Sequence, residues 1–310
     1  MTAAALTSLV LLFAAGSGAH GVAQAAATSA AARPAPHEVV RRVGRVTIRV
    51  DTSQAFPGGV VSVRLSGARL GAAWALLDGR RAPFYLASGV PRALVPIAAG
   101  AEAGPATLGV GLSARGGEQR IAIPLTIAGR DYRPRYVYLS PQQRELVSHR
   151  DAARDGRRLL ALARTESKTP APGPLASPVD RVGGGYGEPR TYTGLADVES
   201  RMDALGGERH RGLDYPLAAE TPVRAPAPGT VLFAGTLTLA GGTVAIDHGQ
   251  GVVSVLHHLS SAAVAAGDSV EAGALVGLSG QSGLAPEPML QWRVYLHGVA
   301  VDPLVLASFL

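Results

Sequence analysis

The sequence predicts a mainly β protein with two β-rich domains joined by a helical connector. Three observations carry this. Short alternating or apolar runs recur at roughly ten-residue spacing before residue 130, separated by Gly and Pro turns. Residues 140–162 carry an amphipathic helical pattern. From Thr221 onward the chain returns to short β-segments punctuated by glycine, with few charges to interrupt them.

Taken in order, the apolar stretch Leu6 to Ala15, small residues after it and the Ala23-Gln24-Ala25 site read residues 1–25 as an export signal. That apolar core is too short to cross a bilayer. No later stretch approaches twenty uninterrupted apolar residues, so no integral membrane span is expected in the mature chain. Residues 26–38, rich in alanine with Pro34 and Pro36, read as a linker. Val46–Val50, Val60–Leu65, Ala93–Ile97, Ala106–Leu112 and Ile121–Ile127 then predict an immunoglobulin-like antiparallel β-sandwich over residues 39–130. Residues 131–180 form the connector. Ser140 is placed to cap a helix, Pro141 suits its first position and Gln143 completes a capping box. Gly156 is expected to bend or end the first helical part, and Thr169–Pro178 marks the boundary to a final β domain over residues 181–310.

With 310 residues, 47% of them hydrophobic, the chain is long enough to bury substantial cores. The formal net charge is +6 and Lys168 is the only lysine, so the positive charge is almost all arginine. We read most of this as coding bias and the rest as affinity for anionic surfaces. The arginines are scattered and aromatic residues are few, which argues against nucleic acid as a partner. There is no cysteine, hence no disulfide framework, thiolate ligand or thiol nucleophile. Any metal must be held by histidine and carboxylate.

Two runs concentrate the chemistry: His210-Arg211-Gly212-Leu213-Asp214 and Leu256-His257-His258-Leu259-Ser260. A histidine and a carboxylate four positions apart, with a second imidazole from a distant strand, is how β-rich proteins assemble a zinc site and its catalytic neighbour. With Thr221-Pro222-Val223, Gly229-Thr230-Val231, Asp247-His248-Gly249, Gly267-Asp268-Ser269-Val270 and Val301-Asp302-Pro303 in order, residues 181 to 305 or so resemble the LytM and lysostaphin type of zinc peptidoglycan endopeptidase.

The resemblance implies a zinc ion held by the first His, the Asp and the second His of a late His-x-His, with the remaining imidazoles acting on the bound water. Here His210 and Asp214 match two metal ligands and His258 matches one catalytic imidazole. The late motif, bracketed by Pro288, Trp292 and Val294, reads Met289-Leu290-Gln291. Met289 replaces the second catalytic histidine, and Gln291 stands at the third ligand position. An amide oxygen is a poor zinc ligand, and a thioether cannot move a proton. Among possible substitutes, His297 lies about 20 Å along the strand. His257 is expected to face away from His258. Glu287 would need a turn at Pro286 or Pro288, and His248 reads as structural.

The expected protein is therefore a bacterial cell-envelope protein, exported to the periplasm or cell wall. Its peptidase-like domain is expected to be catalytically impaired, with zinc weakly held or absent, acting in peptidoglycan binding or in regulating another cell-wall hydrolase. The alternative is an active zinc metalloendopeptidase. A biotinyl or lipoyl carrier, whose half-sandwich the glycine-turn strands also resemble, needs a lysine on its hairpin; Lys168 lies outside the domain.

Overall fold

The computed structural model describes residues 37–67, 73–114, 117–168, 173–193 and 209–310. The export signal and the linker as far as residue 36 lie outside the described residues. Nine strands open the fold: β1 (Glu38–Val43), β2 (Val46–Asp51), β3 (Val60–Ser66), β4 (Trp74–Leu77), β5 (Arg80–Pro83), β6 (Tyr85–Ala87), β7 (Val90–Pro96), β8 (Gly104–Ala114) and β9 (Gly117–Ile127). They make two antiparallel sheets, ordered β1-β2-β3-β7-β6 and β5-β4-β8-β9. The strand alternation turns Ile48, Val50, Val61, Val63 and Val95 of one sheet onto Ala75, Leu77, Leu108, Val110 and Ile123 of the other. Burying each of the larger aliphatic side chains contributes about 1.5–3 kcal/mol. The sandwich is the fold class the alternation predicts, although β1, β4, β5 and β6 carry too little alternation to be read in advance. β1 already begins at Glu38, the last residue assigned to the linker.

The connector holds β10 (Arg135–Tyr138), α1 (Pro141–Ser148) and α2 (Ala152–Ala163). The capping box forms as its residue types require. The Gln143 backbone N–H donates to Ser140 Oγ at 3.3 Å, and the Ser140 N–H donates to Gln143 Oε1 at 2.8 Å. The Gln143 amide also reaches the Ala285 carbonyl at 2.9 Å, tying α1 to a loop of the C-terminal region. The break between helices falls at His149, which is extended, and not at Gly156, which lies inside α2. A mid-helix glycine costs about 1 kcal/mol against alanine. Packing offsets this, because Leu159 and Ala163 bury against Phe233, Leu237 and Tyr295. Asp155 adds a polar clamp, accepting from the Thr238 N–H at 2.9 Å and from its hydroxyl at 2.7 Å.

The remaining elements are β11 (Arg190–Thr193), β12 (Leu213–Pro216), β13 (Pro222–Arg224), β14 (Gly229–Leu237), β15 (Gly241–Gly249), β16 (Val252–Ala262), β17 (Ser269–Val270), β18 (Leu275–Ser279), β19 (Met289–Leu296), β20 (Val299–Val301) and α3 (Pro303–Ala307). β11 pairs in parallel with β10. The others build a nine-stranded antiparallel sheet whose main path is β12-β19-β16-β15-β14-β17. Its core gathers Leu290, Trp292, Val294 and Leu296 of β19 with Val244, Ile246, Leu256 and Leu259. The same cluster takes in Val60, Leu94 and Ala99 of the sandwich. Tyr186 sits at that seam, its hydroxyl donating to the Ala300 carbonyl at 2.9 Å. Gly58, at φ +83°, leaves room for the ring: a Cβ there would lie 2.2 Å from Tyr186 Cε1.

Candidate active cleft

On β19 alternate side chains face alternate ways, so while Leu290, Trp292 and Val294 enter the core, Met289, Gln291, Arg293 and Tyr295 line a cleft of about 380 Å³. α2 and β10 form its other walls, through Ala152, Gly156, Leu159, Tyr136 and Tyr138. β12 pairs with β19 so that Asp214 lies directly across from Gln291. Just before β12, the His210 backbone is pinned by hydrogen bonds of 2.8 Å to Glu188 and Gly187. Its ring Nδ1 lies 2.8 Å from the Gly185 carbonyl, in a turn where Gly185 takes φ +90°.

The protonation pattern follows from these partners. Arg293 Nε–H can only donate, so Gln291 must present its Oε1, at 2.7 Å. The Gln291 NH2 then faces His210 Nε2 at 2.8 Å and Asp214 Oδ1 at 3.1 Å. His210 donates from Nδ1 to Gly185 and accepts at Nε2; burial pushes its pKa down despite the adjacent Asp214, so the ring is neutral near pH 7. The other Asp214 oxygen, Oδ2, accepts from Arg190 in a close ion pair, with Arg135 at 4.0 Å. Burial works to raise the Asp214 pKa, but the Arg190 ion pair overrides it and holds the carboxyl well below the usual carboxylate range.

His258 stands on the opposite cleft wall with φ +66°, a left-handed conformation that costs a β-carbon residue about 1–2 kcal/mol. It sits at a bulge where the β15–β16 register shifts between Gly242 and Val244. Its Nδ1 lies 2.9 Å from the Ser282 carbonyl, and burial pushes its pKa down to about 4. The bulge also corrects the expectation for His257. Strict alternation would turn the two rings apart, but their centroids are 6.2 Å apart, and His257 is the cross-strand partner of Gln291. His257 Nδ1 lies 3.2 Å from the Thr243 hydroxyl, and its buried Nε2 has no hydrogen-bond partner among the described residues. The structure leaves the other candidate substitutes outside the site. His297 pairs with Glu166 at 2.8 Å, His248 lies against the Pro228 carbonyl, and Glu287 is exposed on the cleft wall.

As arranged, these residues do not fit zinc. His210 Nε2 and Asp214 Oδ1 lie 3.2 Å apart and converge, but on the Gln291 NH2, which has no lone pair to offer a metal. Turning the amide would supply an oxygen only by setting its NH2 against Arg293, and the Asp214 charge is already balanced by Arg190. Among the described residues no group of three His, Asp or Glu side chains is placed to hold a metal ion. The arginine contacts were missed in the sequence. Arg293 had a signal, since it shares strand parity with Gln291; Arg190, with Tyr186, Gly187 and Tyr192, resembles the entry strand of the LytM type, but no local pattern shows its contact with Asp214, 24 residues on.

The sequence profile of peptidase family M23 matches residues 208–303. The DD-carboxypeptidase/endopeptidase Mpg of Neisseria meningitidis is 36% identical over 128 residues, 40% of this chain and 30% of that protein. The murein hydrolase activator EnvC of Escherichia coli is 35% identical over 102 residues, 33% of this chain and 24% of that protein. The chain thus spans less than a third of the length of either relative. A crystal structure from Pseudomonas aeruginosa, of a chain ascribed to the M23 peptidases, superposes with a TM-score of 0.57 at 26% identity, covering 82% of this chain and 95% of that one.

Proposed function

Because residues 208–303 form a peptidase M23 domain of the LytM type, we propose that this chain is an exported cell-envelope protein whose cleft binds peptidoglycan peptides without hydrolysing them through zinc. The observation that carries the reading is the Gln291 amide seated between His210 and Asp214 and locked there by Arg293. The M23 family consists of zinc metallopeptidases, so in this reading an amide and two guanidinium groups take over the cross-linking a metal would supply. The murein hydrolase activator among the relatives supports a further role in regulating a separate wall hydrolase. No helix of the described residues is long and apolar enough to cross a membrane.

The test is co-sedimentation with insoluble peptidoglycan in zinc-containing buffer, with analysis of the soluble fraction. The expected outcome is binding with no released peptide. Release of peptide that a chelator abolishes would overturn the reading. It would favour the second one, an active endopeptidase, which is supported by the 36% identity to a carboxypeptidase/endopeptidase, by Asp214 and His258 lining one cleft, and by His210 lying 3.2 Å from Asp214.

A further inference from the structure

We propose that the cleft receives the free terminal carboxylate of a peptide, gripped by Arg211 and Arg293. This rests on the reading that the cleft holds a peptide, and it specifies which end of one. Four arginines line the cleft: Arg135, Arg190, Arg211 and Arg293. Of the three acids in the same wall, Asp155 is bound to Thr238 and Asp214 to Arg190. Glu287 is exposed and makes no ion pair among the described residues. Neither Arg211 nor Arg293 has a carboxylate within ion-pair distance among the described residues.

Arg293 is held in place from behind. Its Nε is committed to Gln291, and Gly212 lies so close that a Cβ there would be 2.8 Å from Arg293 Cγ. The two terminal nitrogens of the guanidinium remain as a fork, the geometry that matches a carboxylate with paired hydrogen bonds. Arg211, one residue before the Gly212 that abuts Arg293, is half-buried in the same lining, so the two guanidinium charges are left for a ligand anion to meet. The remaining walls are apolar or aromatic, with Leu239, Leu284 and Met289 on one side and Tyr136 and Tyr138 on the other. They suit a short peptide better than a bare inorganic anion, and about 380 Å³ is the size of a small-ligand pocket. Such a site distinguishes a free chain end from the same residue engaged in an amide bond.

The experiment is titration calorimetry of the full chain, in chelator, with N-acetylated trialanine as the free acid and as the C-terminal amide, each in all-L and all-D form. The acid of at least one form should bind about tenfold or more tightly than its amide, the range expected for losing hydrogen bonds to a charged group. R211Q and R293Q should each abolish that preference while unfolding like the parent, and R45Q, on the exposed surface of the sandwich, should retain it. Equal affinity for acid and amide, no binding of either, or tighter binding of inorganic phosphate than of the peptide acid would each overturn the proposal. Repeating the titration with zinc separates the two readings. Cleavage of the amide there would overturn the non-hydrolytic function, whereas the acid preference measured in chelator answers only the carboxylate proposal.

Discussion

β12 and β19 are hydrogen-bonded neighbours in one sheet, and they carry opposite chemical messages. β12, with the turn before it, presents His210 and Asp214, a pair able to bind a metal. Directly across from Asp214, β19 presents Gln291, with Met289 two residues earlier, and neither restores the set. The strands nevertheless keep full register from Leu213 opposite Trp292 to Pro216 opposite Met289. The sheet is held by backbone pairing and by Leu290, Trp292 and Val294 in the core, so the cleft face of β19 is free to change. What changed is the polar bookkeeping, in which Gln291, Arg190 and Arg293 satisfy the atoms a metal would otherwise bind. Ligand chemistry and fold are thus separable on the two faces of one strand.

The largest effect on this comparison should come from Asp214→Ala. It leaves Arg190, a side chain only 10% exposed, without the partner it holds most closely, and removing one member of a buried pair costs about 3–5 kcal/mol. Urea denaturation should show that loss; a change below about 1 kcal/mol would mean that Arg190 is solvated and that β12 is not organised by charge. Next, replacing both Met289 and Gln291 with histidine should make β19 match β12. Zinc affinity should rise at least about 100-fold, the upper range seen for losing a ligand's supporting contact alone. An unchanged affinity would show that Arg190 blocks the site irrespective of β19.

A pH series sharpens the same point. The His258 pKa, pushed by burial to about 4 from 6.5, lies below its unfolded value, so the unfolded chain takes up the proton first. Stability from this group is complete above about pH 6.5 and is lost as pH falls toward 4, by on the order of a few kcal/mol. His210, His248, His257 and His297 are also shifted down and add to the slope with the same sign. Equilibrium unfolding of His258→Asn should show a shallower loss than the parent, and an identical slope would place His258 in water. The smallest effect is expected away from the strand pair. Asp155→Ala removes the Thr238 contacts and should cost about 1–3 kcal/mol while leaving zinc content unchanged.

Much of this was readable from local pattern. The capping box needs only Ser140, Pro141 and Gln143, and it formed as those residues dictate. Among the sandwich strands with clear alternation, Val60–Leu65 falls inside β3, and Ala93–Ile97 runs one residue past the end of β7. β4 and β6, of four and three residues, are too short for a period to show. Gly156 misled because helix propensity is local whereas the burial of Leu159 and Ala163 against β14 is not. His257 misled for a related reason, since alternation holds only in an unbulged strand and His258 breaks it at φ +66°. At the site, the His210 and Asp214 spacing and the loss at Met289 and Gln291 were visible. That the Gln291 amide would turn its NH2 inward was not, because Arg293 sets that orientation.

The most direct test of the account is zinc content by elemental analysis after metal repletion of the purified protein, beside His210→Ala. If the Gln291 amide holds the place of the metal, the two proteins will carry the same background amount. One zinc per chain in the parent, lost in His210→Ala, would contradict it.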